Sequence, residues 1–225
     1  MNSLLDAMFV LVILSTLGLL GSSRLRFGIR LLAFQGLVVG VAALLLPNHH
    51  ITPRVVIIVV ITTLLDMVVF PILLLRALRQ ARVQREETPP VGYTASVLVG
   101  VGLVAGCLWG VKYGNLRLPH EGADPLELPV AAFTILAGLF LIVARNNALN
   151  QVVGYLVLEN GIFLAGLSTA MEVPFLIEMG ILLDVFIMVL VMGVALFHIN
   201  RTFDSIEVGG MTALTDWPDE ADVGK

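Results

Sequence analysis

Apolar segments long enough to cross a membrane follow one another along almost the whole chain, and that succession leaves few folds open. They run over Leu4 to Leu20, Leu31 to Leu46, Val55 to Leu75, Tyr93 to Val111, Leu128 to Ala144, Ala148 to Met171 and Pro174 to His198. A helix rises about 1.5 Å per residue, so about 20 such residues cover a hydrocarbon core of about 30 Å. Of the 225 residues, 58% are hydrophobic and 13% charged, and spans with short connections use up nearly the whole length. That leaves no room for a soluble catalytic domain. The sequence predicts an all-α, polytopic membrane helix bundle of about seven transmembrane helices. No positive charge precedes the first segment, so it reads as a retained span and not as a signal peptide.

Lys and Arg placement orients the bundle, because positive loops stay cytoplasmic. Arg24, Arg26 and Arg30 join spans one and two, Arg76, Arg79, Arg82 and Arg85 join three and four, Arg145 joins five and six, and Arg201 and Lys225 follow seven. The alternate loops hold only Arg54, Lys112 and Arg117, three of the thirteen basic residues. This pattern predicts an N-terminus outside and a cytoplasmic C-terminus. The longest cytoplasmic connection, Arg82 to Pro90, divides the chain. Residues 1–85 form a first three-span unit, 86–127 a loop and a glycine-rich fourth span, 128–199 a second three-span unit, and 200–225 a polar, acidic cytoplasmic tail too short to fold alone.

The two three-span units are weakly alike. Aligning the Leu-Leu-Asp triplet ending at Asp66 with the one ending at Asp184 brings Gln35-Gly36 near Asn160-Gly161 in the preceding spans. An internal duplication and coincidence both account for this, since two leucines and an acid come together easily in a leucine-rich chain.

Ionisable residues inside spans are the candidates for chemistry. A charged side chain at the bilayer centre costs about 2.5 to 3.5 kcal/mol on insertion scales, so such residues are rare and usually functional. Glu159 lies 11 residues beyond Ala148, Asp184 lies 10 beyond Pro174, and Asp66 lies 11 beyond Val55, which sets all three near the midplane. Glu178 is four residues past Pro174, nearer the outer surface. It precedes Asp184 by six residues, about 240° round the helix and about 9 Å along it, so these two acids do not share a face. A desolvated carboxyl is able to exchange a proton near neutral pH. The other reading is a carboxyl that stays protonated and hydrogen-bonds a neighbouring helix. Several acids at one depth favour proton transfer. Pro71 cannot donate to the Met67 carbonyl and is expected to kink the third span beside Asp66.

Other features are less specific. Gly102, Gly106 and Gly110, with Gly100 beside them, form a small-residue face on span four suited to close helix packing within the bundle. Cys107 is the single cysteine, which excludes a disulfide framework, a thiolate metal site and an iron-sulfur ligand set. His49, His50, His120 and His198 have no metal-site spacing. A net charge of −4, with most of the acids in loops or the tail, gives no reason to expect a nucleic-acid partner.

The blocks GYLVLENGIF (Gly154 to Phe163) and FLIEMGILLDVFIMVLVMGVALFHINRTFDSIEV (Phe175 to Val208), with the closing MTALTD, resemble the hydrogenase-4 component E family. The resemblance covers about Val130 to Asp216 well and is only general before that. Members belong to formate hydrogenlyase-type and other energy-converting, complex I-related hydrogenase complexes. The later spans also resemble the small complex I subunit NuoK, in which two glutamates on adjacent helices form part of a hydrophilic axis across the membrane arm. Glu159 matches the first of these, and Asp184 stands where the second would be. Aspartate is one methylene shorter, so transfer across to Glu159 would lean more on water.

The resemblance implies a subunit without activity of its own and with no cofactor in this chain. It implies metal centres on neighbouring soluble redox subunits, and antiporter-like and quinone-site-type membrane subunits as partners in the cell inner (plasma) membrane. The expected role is a contribution of Glu159, Asp184, Glu178 and Asp66 to proton or sodium translocation. Two competing roles remain at this stage: an independent secondary ion transporter, and a scaffold whose acids only fix helix contacts.

Overall fold

The computed structural model describes residues 2–45, 53–80, 91–113 and 125–168, together with Gly180, Val189 and Gly193, each of which is helical. Among the described residues there is no strand; the helices are α1 (Asn2–Gly21), α2 (Leu25–Leu45), α3 (Pro53–Leu64), α4 (Phe70–Gln80), α5 (Tyr93–Tyr113), α6 (Glu127–Ala144) and α7 (Ala148–Ser168). A π-helical turn, Leu65–Val69, fuses α3 and α4 into one span. Six stretches are long and apolar enough to cross a membrane: Ser3–Gly21, Leu25–Leu45, Val59–Arg79, Tyr93–Tyr113, Glu127–Ala144 and Ala148–Gly166. The protein is therefore an all-α, polytopic membrane helix bundle. The seventh expected span, Pro174 to His198, lies outside the described residues except for the three helical positions within it.

Helix α2 begins at Leu25, six residues before the expected Leu31. Arg26 and Arg30 had the look of a loop, but they occupy the exposed face of a helical stripe whose other face buries Leu25, Gly28, Ile29 and Leu32. The end of α4 repeats the pattern, with Arg76 and Arg79 exposed while Leu74, Ala77 and Leu78 are buried. At the start of α7, Asn147 Oδ1 accepts the Leu149 N–H at 3.0 Å, which satisfies one of the orphan amides of a helix N-terminus.

Helices α6 and α7 form the tightest pair, and α1 and α2 pack beside them, α1 on α6 and α2 on α7. The span α3–α4 flanks α2, and α5 flanks α1 and α6. Glycine decides the central seam. A Cβ on Gly138 would stand 2.7 Å from Leu158 Cα, one on Gly154 2.9 Å from Ile142 N, and one on Gly161 2.6 Å from Ile135 N. Only residues without a side chain let these two backbones approach so closely.

The expected glycine face of span four takes no such part. Among the described residues, nothing lies within 4 Å of a Cβ built at Gly102, Gly106 or Gly110, whereas one at Gly100 packs against Leu17 and Leu20. The period of four was read correctly as a face, but α5 sits at the rim of the bundle and turns that face outward, where Leu98, Val101 and Trp109 are also exposed.

Candidate functional site: a polar layer between two apolar clusters

The buried apolar side chains fall into two clusters stacked along the bundle axis. One gathers Leu19 and Leu20 of α1, Leu25 to Leu32 of α2, Leu74 of α4, Leu141 of α6 and Leu149 to Val157 of α7. The other gathers Leu5 to Val12 of α1, Val38 to Ala43 of α2, Val130 and Ala131 of α6 and Leu164 of α7. Between them lie Ser15 and Thr16 on α1, Gln35 on α2, Glu159 and Asn160 on α7 and, on the π-turn, Asp66. Polar side chains thus occupy one level of the membrane interior, with hydrocarbon above and below.

Asp66 owes its position to a helix defect and a glycine. Pro71 cannot donate to the Met67 carbonyl, and the span widens just before it: the Phe70 N–H bonds Leu65 O in place of the residue four back. The expected break beside Asp66 is present, as a π-helical turn containing the acid. The Asp66 Cβ lies 2.8 Å from a Cβ built on Gly36, so this face of α2 is held open for it. One turn toward the start of α3, Thr63 packs on Gly40 in the same way, and its hydroxyl bonds the Val59 carbonyl at 2.6 Å.

Glu159 is half-buried on α7, with its Oε2 atom buried. The carboxylate comes five residues after Gly154, about 140° round the helix, so it points away from the glycine seam that grips α6. Tyr155, one turn earlier on the same face, interacts with it electrostatically. Asn160, adjacent in sequence, is 4% exposed. Helix α2 packs against both α7 and the π-turn, and so separates Glu159 from Asp66. Asp184 and Glu178 lie outside the described residues.

Two charged residues sit deeper than sequence reading implied. Arg145, counted above as a loop cation, is 2% exposed. Its Nη2 donates to the Leu20 carbonyl at 2.8 Å, its Nη1 to the Val91 carbonyl at 3.4 Å, and its Cζ lies 4.4 Å from the centre of the Tyr93 ring. The Leu20 carbonyl is one that the C-terminus of α1 leaves without an intrahelical partner. Arg145 thus joins the ends of α1, α5 and α6. A cavity of about 10 Å³ beside it, lined by Ser22, Arg24 and Asn150, has room for about one water. Glu127, placed by sequence at a loop edge, is 1% exposed in the first turn of α6, where the positive end of the helix dipole favours it. No sequence signal separated either from an ordinary loop charge. Gln35, singled out only as one half of a weak repeat, proves wholly buried.

Among the described residues no cluster of three or more His, Cys, Asp or Glu could hold a metal ion. The four histidines lie outside the described residues.

Comparison with known proteins gives relatives of near-equal length. Hydrogenase-4 component E of Escherichia coli K12 is 27% identical over 204 residues, 91% of this chain and 94% of the relative. The same component of Shigella flexneri matches equally. An uncharacterized protein of Mycobacterium tuberculosis is 31% identical over 193 residues, 85% of this chain and 87% of its own. No family model and no solved structure matches the chain. Near-complete coverage rules out a shared fragment, and this chain's own apolar helices make it an integral membrane protein; the chain belongs to the hydrogenase-4 component E family.

Proposed function

We propose that this chain is a non-catalytic subunit of a complex I-related hydrogenase or respiratory complex, and that its interior carboxylates take part in proton or sodium translocation coupled to electron transfer. The observation that carries the reading is the polar layer, with Asp66 and Glu159 at one level between two dry clusters. Buried polar groups in hydrocarbon are expensive, and a bundle that needed only packing would have no use for acids there. Asp66 has room made for it by Gly36 and the π-turn, and Glu159 stands on the face of α7 opposite the glycine seam. A π-turn inside an apolar span is a common mark of a functional position.

Asp184 completes the pair with Glu159 on the similarity to NuoK, and Glu178 lies nearer the outer surface. In this reading the basic residues hold the C-terminus and the tail, 200–225, on the cytoplasmic side of the inner membrane, with the N-terminus outside. Residues 1–85 and 128–199 act as two three-span units around the polar layer. Antiporter-like and quinone-site-type membrane subunits adjoin them, and the redox centres sit on soluble subunits. The glycine face of α5, open among the described residues, is available to such a neighbour.

Gentle solubilisation of the native membrane, followed by identification of what co-purifies, tests the assignment. A hydrogenase- or dehydrogenase-type assembly is expected. A lone homo-oligomer would contradict it and favour an independent ion transporter.

A further inference from the structure

Helix α2 stands between the two described acids, and Gln35 is its fully buried polar side chain at their level. Its Nε2 donates to Thr16 Oγ1 at 3.2 Å. The single hydroxyl proton of Thr16 goes to the Val12 carbonyl at 2.8 Å, so the Thr16 oxygen has only acceptor capacity left. This fixes the amide with its nitrogen toward Thr16 and its oxygen on the far side. There Gln35 Oε1 is buried without a hydrogen-bond partner. Turning the amide over would require the Thr16 hydroxyl to leave the Val12 carbonyl for Oε1 and would give up the bond from Nε2 to Thr16.

A buried carbonyl left without a donor is costly and rare. We propose that Gln35 Oε1 holds an internal water in the polar layer, and that this water relays protons between the Asp66 side and the Glu159 side of α2. The inference rests on the reading of the chain as an ion-path subunit. A water suits the site because it gives one hydrogen bond to Oε1 and keeps a second proton and two lone pairs for its other neighbours. A metal cation would need several oxygen ligands at once, and Gln35 offers one. Relay through the water balances without any other reactant. A proton arrives on an oxygen lone pair, a different O–H proton leaves to the next acceptor, and reorientation restores the water. Gln35 is then a positioning residue: it holds the water and changes no bond of its own.

The test uses the whole complex in two measurements. A high-resolution structure is expected to show ordered density within hydrogen-bond distance of Gln35 Oε1; an empty site, or a protein donor from another chain there, overturns the proposal. In vesicles, Gln35→Leu at normal subunit content is expected to lose most ion uptake per turnover of the electron donor. Gln35→Glu, which keeps a carbonyl-type acceptor, is expected to recover part of it. Thr16→Val removes the tie between α1 and α2 and leaves the acceptor, so it should cost stability more than uptake. If Glu159→Gln abolishes uptake while Gln35→Leu leaves it intact, the relay is wrong and the ion-path reading stands. If both leave uptake intact, the ion-path reading itself has failed. Should Gln35→Leu not assemble, the density at Oε1 in the unaltered complex decides alone.

Discussion

A single methyl group added at the centre of the bundle, Gly138→Ala, separates the packing described here from the packing that glycine spacing alone suggests. The new Cβ would stand 2.7 Å from Leu158 Cα and 2.8 Å from Gly154 O. Carbon atoms meet comfortably at about 3.5 to 4.0 Å, so α6 and α7 must part by about 1 Å along their seam. Both obstructing atoms are backbone, and no change of rotamer relieves the clash. Overpacking of this kind costs about 1 to 3 kcal/mol, against which alanine regains about 1 kcal/mol of helix propensity. Gly106→Ala supplies the control, because it gains the same propensity and meets none of the described residues within 4 Å. The difference between the two variants isolates the overpacking, about 1 to 3 kcal/mol. Thermal unfolding in one detergent, on protein of equal purity, is the assay. Gly138→Ala is expected to melt well below Gly106→Ala. Equal melting temperatures, or the reverse order, would refute the α6–α7 seam as the tight contact.

Two further outcomes concern the Arg145 end of the bundle and its orientation. Arg145→Met removes a charge-assisted hydrogen bond to the Leu20 carbonyl and the stacking on Tyr93, an expected loss of about 2 to 4 kcal/mol. Arg145→Lys should restore little of it, since a single ammonium cannot replace the guanidinium fork; melting curves equal to the unaltered protein would show that Arg145 anchors nothing. A topology reporter fused after Lys225 is expected to be active only on the cytoplasmic side, and activity only on the outer side would overturn the assigned orientation.

The membrane bundle was legible in the sequence because apolar length alone announces a span. Asp66 and Glu159 were legible for the complementary reason: a carboxylate stands out in such a span. The break at Pro71 was readable too, because proline lacks the N–H that the ladder needs. What the sequence hid were pairwise matters. Gly138, Gly154 and Gly161 look no more significant than Gly102, Gly106 and Gly110, and only the placement of α5 at the rim and of α6 and α7 at the centre distinguishes them. Arg145 reads as one more loop cation until its carbonyl partners, Leu20 on α1 and Val91 just before α5, are in place. Gln35 is an unremarkable amide in sequence, and its significance depends on Thr16, 19 residues away, having already spent its proton.

The central claim is that Glu159 carries protons, and Glu159→Gln tests it most directly. Glutamine keeps the shape and the hydrogen-bonding capacity of a protonated carboxyl and removes the titratable group. The measurement is ion uptake by vesicles holding the complete complex, driven by its own electron donor, beside the turnover of that donor. Asp184→Asn, in the same assay, is expected to behave alike. Because interacting buried acids titrate together, the double variant should cost little more than either single one. The account predicts normal subunit content in Glu159→Gln with coupled ion uptake lost; full uptake at normal subunit content would remove Glu159 from the path and leave it a structural hydrogen-bonding group.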